Sequence, residues 1–272
     1  MSRRASSKLV GALLCGIALL FAAPLLWLLT AAFDAEAPLA AAVPGRFTLD
    51  NFGQVLNWET SIRPLWNGLL LSGGAAMISV LAAVLCAYPL SRYRLRFRRP
   101  FLYTVLFATG LPITAVMVPV YSMFVRFDLV DSMLGTTLFL AATSLPVAIW
   151  MTKNFMDGVP ISLEEAAWVD GASALQALRS VVLPLIVPGL SVVGIFTFIN
   201  AWGNFFVPFV LLLDPAKQPA AVGVFAFFGQ GGLIAYGQLA AYSILYTAPV
   251  IALYLMVSRS LGGAFTLTGA IK

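Results

Sequence analysis

The sequence predicts an all-α membrane protein with six transmembrane helices and both termini in the cytoplasm. Three observations carry that prediction. Of 272 residues, 61% are hydrophobic and only 10% charged, whereas a soluble domain carries about 25% charged residues. Mean hydropathy is +0.94, and a fold with that much apolar surface needs lipid as its solvent. Long uncharged runs recur along the chain, and basic residues gather in alternate gaps between them.

A bilayer core needs roughly 20 apolar residues per helix. The first span is 9–33, uncharged between Lys8 and Asp34. Its apolar run is longer than the roughly 7–15 residues of a signal-peptide core, so it is read as a retained helix. The others are 66–90, 101–124, 133–151, 183–207 and 235–258. The uncharged run holding the fifth span is too long for one straight crossing, so part of it lies beyond the membrane. The apolar stretch within 218–232 is too short to span and reads as an interfacial or re-entrant piece. The whole of 1–272 is read as a single transmembrane domain.

Orientation follows from lysine and arginine. With the N-terminus inside, the inner segments hold Arg3, Arg4, Lys8, Arg92, Arg94, Arg96, Arg98, Arg99, Lys153, Arg179, Arg259 and Lys272. The outer segments hold only Arg46, Arg63, Arg126 and Lys217. The positive-inside bias therefore puts both termini in the cytoplasm. The arginines of 92–99 alternate with Tyr93, Leu95 and Phe97. Topology and contact with anionic membrane lipid explain them better than nucleic acid. The net charge of +5 needs no nucleic-acid partner either.

Several function classes lack their chemistry here. Ion-coupled transporters carry ionisable groups inside the membrane, and no span interior has one. No lysine follows a glycine or precedes Ser or Thr, so there is no phosphate-binding loop of the Gly-Lys-Ser/Thr type. Histidine is absent, and Cys15 and Cys86 sit in apolar runs with no metal-binding or disulfide pattern. No catalytic site and no cofactor are expected in this chain. Uphill transport would draw its energy from a partner through the cytoplasmic loop 153–180.

That loop holds the most informative stretch, Ser162-Leu163-Glu164-Glu165-Ala166-Ala167-Trp168-Val169-Asp170-Gly171, followed by Leu183-Pro184. Pro160 marks a break. Ser162 and Glu165 have capping-box spacing, which predicts a short helix over 163–170. Leu163, Ala166, Ala167 and Asp170 would share one face, with two alanines leaving it flat for close approach. Gly171 would supply the exit turn. Ser173 and Gln176 form a second capping-box pattern.

The spacing Glu165-Ala166-Ala167, three residues, Gly171, nine residues, Val181, Val182, Leu183-Pro184 resembles the signature of ABC importer permeases, with Val181 in place of the usual isoleucine. The resemblance extends along nearly the whole chain. Trp66-Asn67-Gly68, Ala87-Tyr88-Pro89, Val118-Pro119-Val120-Tyr121, the run from Phe155 to Pro160, the run from Ala201 to Pro208, and the tail Leu267 to Lys272 are similar to the smaller permease subunit of carbohydrate, maltose-type importers. Gly203 and Asn204 depart from the group's usual pattern.

The resemblance implies an ABC importer (MetI-like) fold. It implies an ATPase-coupling element formed by Leu163, Glu164, Glu165, Ala166, Ala167, Asp170, Gly171, Leu183 and Pro184. It implies four partners: a homologous second permease, two copies of a nucleotide-binding ATPase subunit that would bind ATP and Mg, and an extracytoplasmic solute-binding protein. The outer loop 34–64 would meet the binding protein.

Sugar sites use aromatic faces with amides and hydroxyls. Tyr121, Asn200, Trp202 and Asn204 are therefore candidates for the substrate pathway. Interface anchoring explains Trp202 and Tyr121 equally well. A sugar or sugar-like solute is the expected cargo. Glycerol phosphate, an amino sugar or a polyol carried by the same machine is the alternative, ahead of an ion-coupled secondary transporter.

Overall fold

A computed structural model describes residues 3–38, 44–227 and 235–268, without the side chains of 3–9, 226 and 259–268. The C-terminal tail 269–272 with Lys272, the segment 228–232 of the proposed interfacial piece, and the side chains of Arg3, Arg4, Lys8 and Arg259 therefore lie outside what is described.

Helices run in the order α1 (Arg3–Ala32), α2 (Asp50–Val55), α3 (Arg63–Arg92), α4 (Arg98–Ala108), α5 (Ile113–Arg126), α6 (Met133–Asp157), α7 (Ile161–Val169), α8 (Ala174–Ala177), α9 (Leu183–Trp202), α10 (Phe206–Leu211), α11 (Ala220–Gly223) and α12 (Tyr236–Thr268). Among the described residues there is no strand beyond one bridge, Asp34 to Phe47. Among the described residues, five helices are long and apolar enough to cross a membrane, and there are six crossings if the bent pair α4 and α5 makes one.

That pair differs from the straight third span expected over 101–124. Its two helices meet at 94°. Pro112 is the extended N-cap residue of α5. It has no N–H to continue α4 and disfavours helical geometry at Leu111, so the chain turns there. A second irregularity is a π turn at Leu178–Val182, closed by Leu183 N–H donating to Leu178 O. It widens the helix just before Pro184, whose ring would crowd the carbonyl four residues back.

The chain divides into two compact units. The first comprises 1–63 with 223–249. There the Asn51 amide donates to Ala32 O (3.1 Å) and Asp34 O (2.8 Å), and Phe33 stacks on Phe47. These contacts fasten part of the outer loop to the end of α1. Within 218–232, the described part is short: α11 and one 3₁₀ turn at Val224–Phe227.

The second unit comprises 64–222 with 250–272. Its helices approach through small residues, as expected where lipid gives no hydrophobic drive to associate. Gly74 faces Thr137, and Gly189 faces the Phe155 ring so closely that a Cβ would collide with it. The Ser79 hydroxyl donates to Ala141 O at 3.1 Å. One apolar cluster joins α3, α5, α6, α9 and α10 through Leu71, Met117, Phe124, Leu140, Ala201 and Val207. Another, at the far end of α3, packs Val84, Ala87 and Tyr88 against Met156, Val159, Leu178 and Ile186. The 158–178 loop is built on that second cluster.

Candidate functional site: a pinned loop helix and a polar cleft

Helix α7 starts two residues earlier than the capping-box reading requires, at Ile161 instead of Leu163. Pro160 occupies the N-cap position and no side chain caps the helix. Ser162 falls inside the first turn, so the Ser162 and Glu165 capping box does not form. The physical reason is Pro160 itself: its extended backbone launches the helix, and its missing N–H costs nothing ahead of the first turn. The end of α7 matches expectation. Gly171 has φ +88°. Gly171 N–H donates to Trp168 O and Ala172 N–H to Ala167 O, the paired bonds of a Schellman turn. Ser173 and Gln176 form the expected reciprocal capping box at α8.

The two glutamates of α7 point opposite ways. Glu165 is exposed. Glu164 is 0% exposed, against the end of α3. Arg92 Nε donates to its Oε1 in a salt bridge whose arginine side chain is itself buried. Tyr88 Oη donates to its Oε2 at 2.9 Å. Arg92 also donates to Val159 O at 3.2 Å. A second cluster adjoins. Ser91 Oγ donates to Asp157 Oδ1 at 2.6 Å, Lys153 Nζ pairs with Asp157 Oδ2 one turn away, and Arg98 lies 3.9 Å from the same carboxylate. Thus the adjacent ends of α3, α4 and α6 meet at Asp157, and α7 is fastened to α3 through Glu164. A buried carboxylate needs such pairing and hydrogen bonding to stay charged.

What remains on the surface of α7 is apolar and small. Val169 is 88% exposed, and Ile161, Leu163 and Trp168 are also exposed, with Ala166 beside them. Ala167 and Leu183 are half-buried; Asp170, Gly171 and Pro184 are exposed. The result is an apolar patch rimmed by Glu165 and Asp170, outside the long apolar helices.

The pathway candidates separate. Trp202 is buried, stacked on Phe198 at 5.7 Å, and a Cβ at Gly68 would come within 3.0 Å of its ring. It serves packing. Tyr121 is exposed on α5. Asn200 and Asn204 come together at a cleft of about 160 Å³ lined also by Leu140, Thr143, Ser144, Val147, Phe196 and Ala201. Sequence reasoning missed Thr143, Ser144 and Phe196. Their polar or aromatic character was visible, but not their alignment with Asn200 across two helices.

A helical membrane component with a charged loop helix pinned to its core is the class these features define. The chain belongs to the family described as the binding-protein-dependent transport system inner membrane component, which matches residues 75–262. Its relatives include the diacetylchitobiose uptake system permease protein NgcG of Streptomyces coelicolor, 27% identical over 89% of this chain and 81% of that protein. The trehalose/maltose transport system permease protein MalG of Thermococcus litoralis is 27% identical over 97% of this chain and 95% of that protein. In fold, the chain matches a chain from the crystal structure of a bacterial ABC transporter involved in import of the acidic polysaccharide alginate. The TM-score is 0.82, with 24% identity, 95% of this chain covered and 98% of that one. The fold is therefore the all-helical MetI-like permease fold of ABC importers, and the relatives are sugar ABC permeases.

Proposed function

We propose that this chain is one permease subunit of an ATP-driven sugar importer and that α7 is the surface through which an ATPase moves it. The single observation that carries the reading is the pinning of α7. Glu164 and Arg92 fasten the helix to α3, so a push on its exposed face is delivered to a membrane-crossing helix instead of being lost in a loop. The exposed face of Glu165, Ala166, Trp168 and Val169, with Leu163 and Asp170 at its margins, is the docking surface. Gly171 sets the turn that follows it, and Leu183-Pro184 leads the chain back into the membrane.

The whole chain acts as a single permease domain with six crossings and both termini in the cytoplasm, supported by its basic residues. The partners are a homologous second permease, two ATPase subunits that bind ATP and Mg, and an extracytoplasmic binding protein. The sugar cargo is supported by the diacetylchitobiose and trehalose/maltose relatives and by the uncharged polar cleft.

The test is uptake of labelled diacetylchitobiose, trehalose and maltose by cells carrying the wild type or Glu165→Ala. We expect uptake of a member of this sugar class by the wild type, and its loss in the variant with normal membrane insertion. Equal uptake by both would remove the docking role. Uptake of none, with active transport of a cation, would remove the importer reading.

A further inference from the structure

The link between α3 and α4 carries positive charge that the fold does not neutralise. Arg98 reaches Asp157 at 3.9 Å. Among the described residues no carboxylate pairs with Arg94, Arg96 or Arg99, and all three are exposed. No side chain caps the start of α4, and its first turn holds no acidic residue, so the helix dipole adds to the positive field. Charge alone would attract a membrane surface only diffusely.

Beside these arginines lies a groove of about 590 Å³. Leu85 and Cys86 of α3 line it, with Phe97 and Phe101 at the start of α4, and its charged lining residues are Arg96 and Arg98. Phe97 is 75% exposed and Leu85 65%. Leu85 continues a row of exposed apolar side chains on α3, Met77 and Leu81, which helical spacing places on one face. The groove therefore lies at the end of an exposed apolar face. The link beside it has a defined course: Tyr93 packs edge-on against Tyr88, and Arg98 N–H donates to Leu95 O at 3.1 Å.

An aromatic and aliphatic groove bordered by arginines fits an amphiphile with an acyl chain and a negative headgroup. A soluble anion would leave the apolar lining unused, and a neutral lipid would leave the arginines unanswered. A guanidinium fork matches phosphate oxygens, and its aliphatic stem can lie along apolar surface while the charge stays at the interface.

We infer that this groove is a defined site for an anionic phospholipid. Arg96 holds the phosphate with Arg94 and Arg99 beside it, and an acyl chain lies against Leu85, Cys86, Phe97 and Phe101. The lipid anchors the link at the end of α3, whose Ser91 and Arg92 fasten Asp157 and Glu164. The inference goes beyond the importer reading and takes from it only that the link faces the cytoplasmic leaflet.

The test places the assembled transporter in phosphatidylcholine nanodiscs holding a trace of phosphatidylglycerol with a diazirine on its acyl chain. A parallel sample carries the same diazirine on phosphatidylcholine. After irradiation, labelled peptides are mapped by mass spectrometry. We expect the anionic probe to concentrate on the peptides holding Leu85, Cys86, Phe97 and Phe101, well above the neutral probe. Arg96→Gln should cut the ratio of anionic to neutral labelling there about fivefold, the worth of one interfacial arginine. Leu85→Trp, which fills the groove, should lower labelling at Phe101 and leave other lipid-facing peptides unchanged.

Equal labelling by the two probes overturns the inference. So does anionic label spread evenly over the exposed apolar helices, which reduces the arginines to diffuse attraction. A groove that neither probe labels, as when the second permease covers it, overturns it too. None of these outcomes touches the importer reading, which fails separately if no ATPase accompanies the purified chain.

Discussion

Glu164 and Glu165 are adjacent in sequence and differ in every physical respect. Removing the buried one strands a charge. Glu164→Ala leaves Arg92 buried without its carboxylate, which costs about 3–5 kcal/mol. The expected outcome is a sharply lower thermal midpoint of the purified protein. The double variant Glu164→Leu with Arg92→Met should be markedly more stable than Glu164→Ala, because the pair's desolvation cost disappears with its attraction. If the double variant is as unstable as the single, the buried pair is not what sets stability there. Gly171→Ala tests the turn: a left-handed backbone costs an L-residue about 1–2 kcal/mol. The Gly171 turn and the Ser173–Gln176 box were readable from sequence because each is a rule about neighbours. The burial of Glu164 was not, since its partners Tyr88 and Arg92 lie 76 and 72 positions away. Ser162 misled for the opposite reason: its local pattern was sound, but Pro160 had already fixed the start of the helix.

Among elements, α3 and α6 show how the bundle is held. At Gly74 a Cβ would sit 2.8 Å from Thr137 Cγ2, and Thr137 is buried with little room to move. Gly74→Val should overpack the contact at a cost of about 1–3 kcal/mol. Ser79→Ala removes one interhelical hydrogen bond, worth about 0.6 kcal/mol in a membrane. Denaturation midpoints in mixed micelles should rank wild type, Ser79→Ala, Gly74→Val in falling order. A Gly74→Val protein as stable as wild type would mean that α3 and α6 do not rely on this close approach. The apolar runs of these helices were legible from hydropathy alone. The 94° bend between α4 and α5 was not. Hydropathy carries no direction, and the third span read as one run over 101–124. The burial of Trp202 was not legible: a tryptophan near a span's end suits an interface or a pathway, and its closeness to Gly68 appears only in the fold.

For the whole molecule, the chain has apolar helices to cross a membrane and a loop helix tied to one of them, but no nucleotide motif of its own. On the reading proposed above, energy enters through a surface, and that surface is α7. The class of machine was readable because the spacing from Glu165 through Gly171 to Pro184 is long and fixed. The cleft was only half readable, because two of its walls lie about fifty residues apart and meet only in the folded bundle. The central claim is that α7 touches an ATPase. The most direct measurement places a photo-crosslinking amino acid at Val169, the most exposed of the large apolar side chains on α7, in native membranes, and identifies what it captures by mass spectrometry. The account predicts a protein with a phosphate-binding loop, captured at Val169 and not from the same probe at Val118, an exposed position on α5. Capture of lipid alone, or of no nucleotide-binding protein, in cells where the chain is fully assembled and active would contradict it.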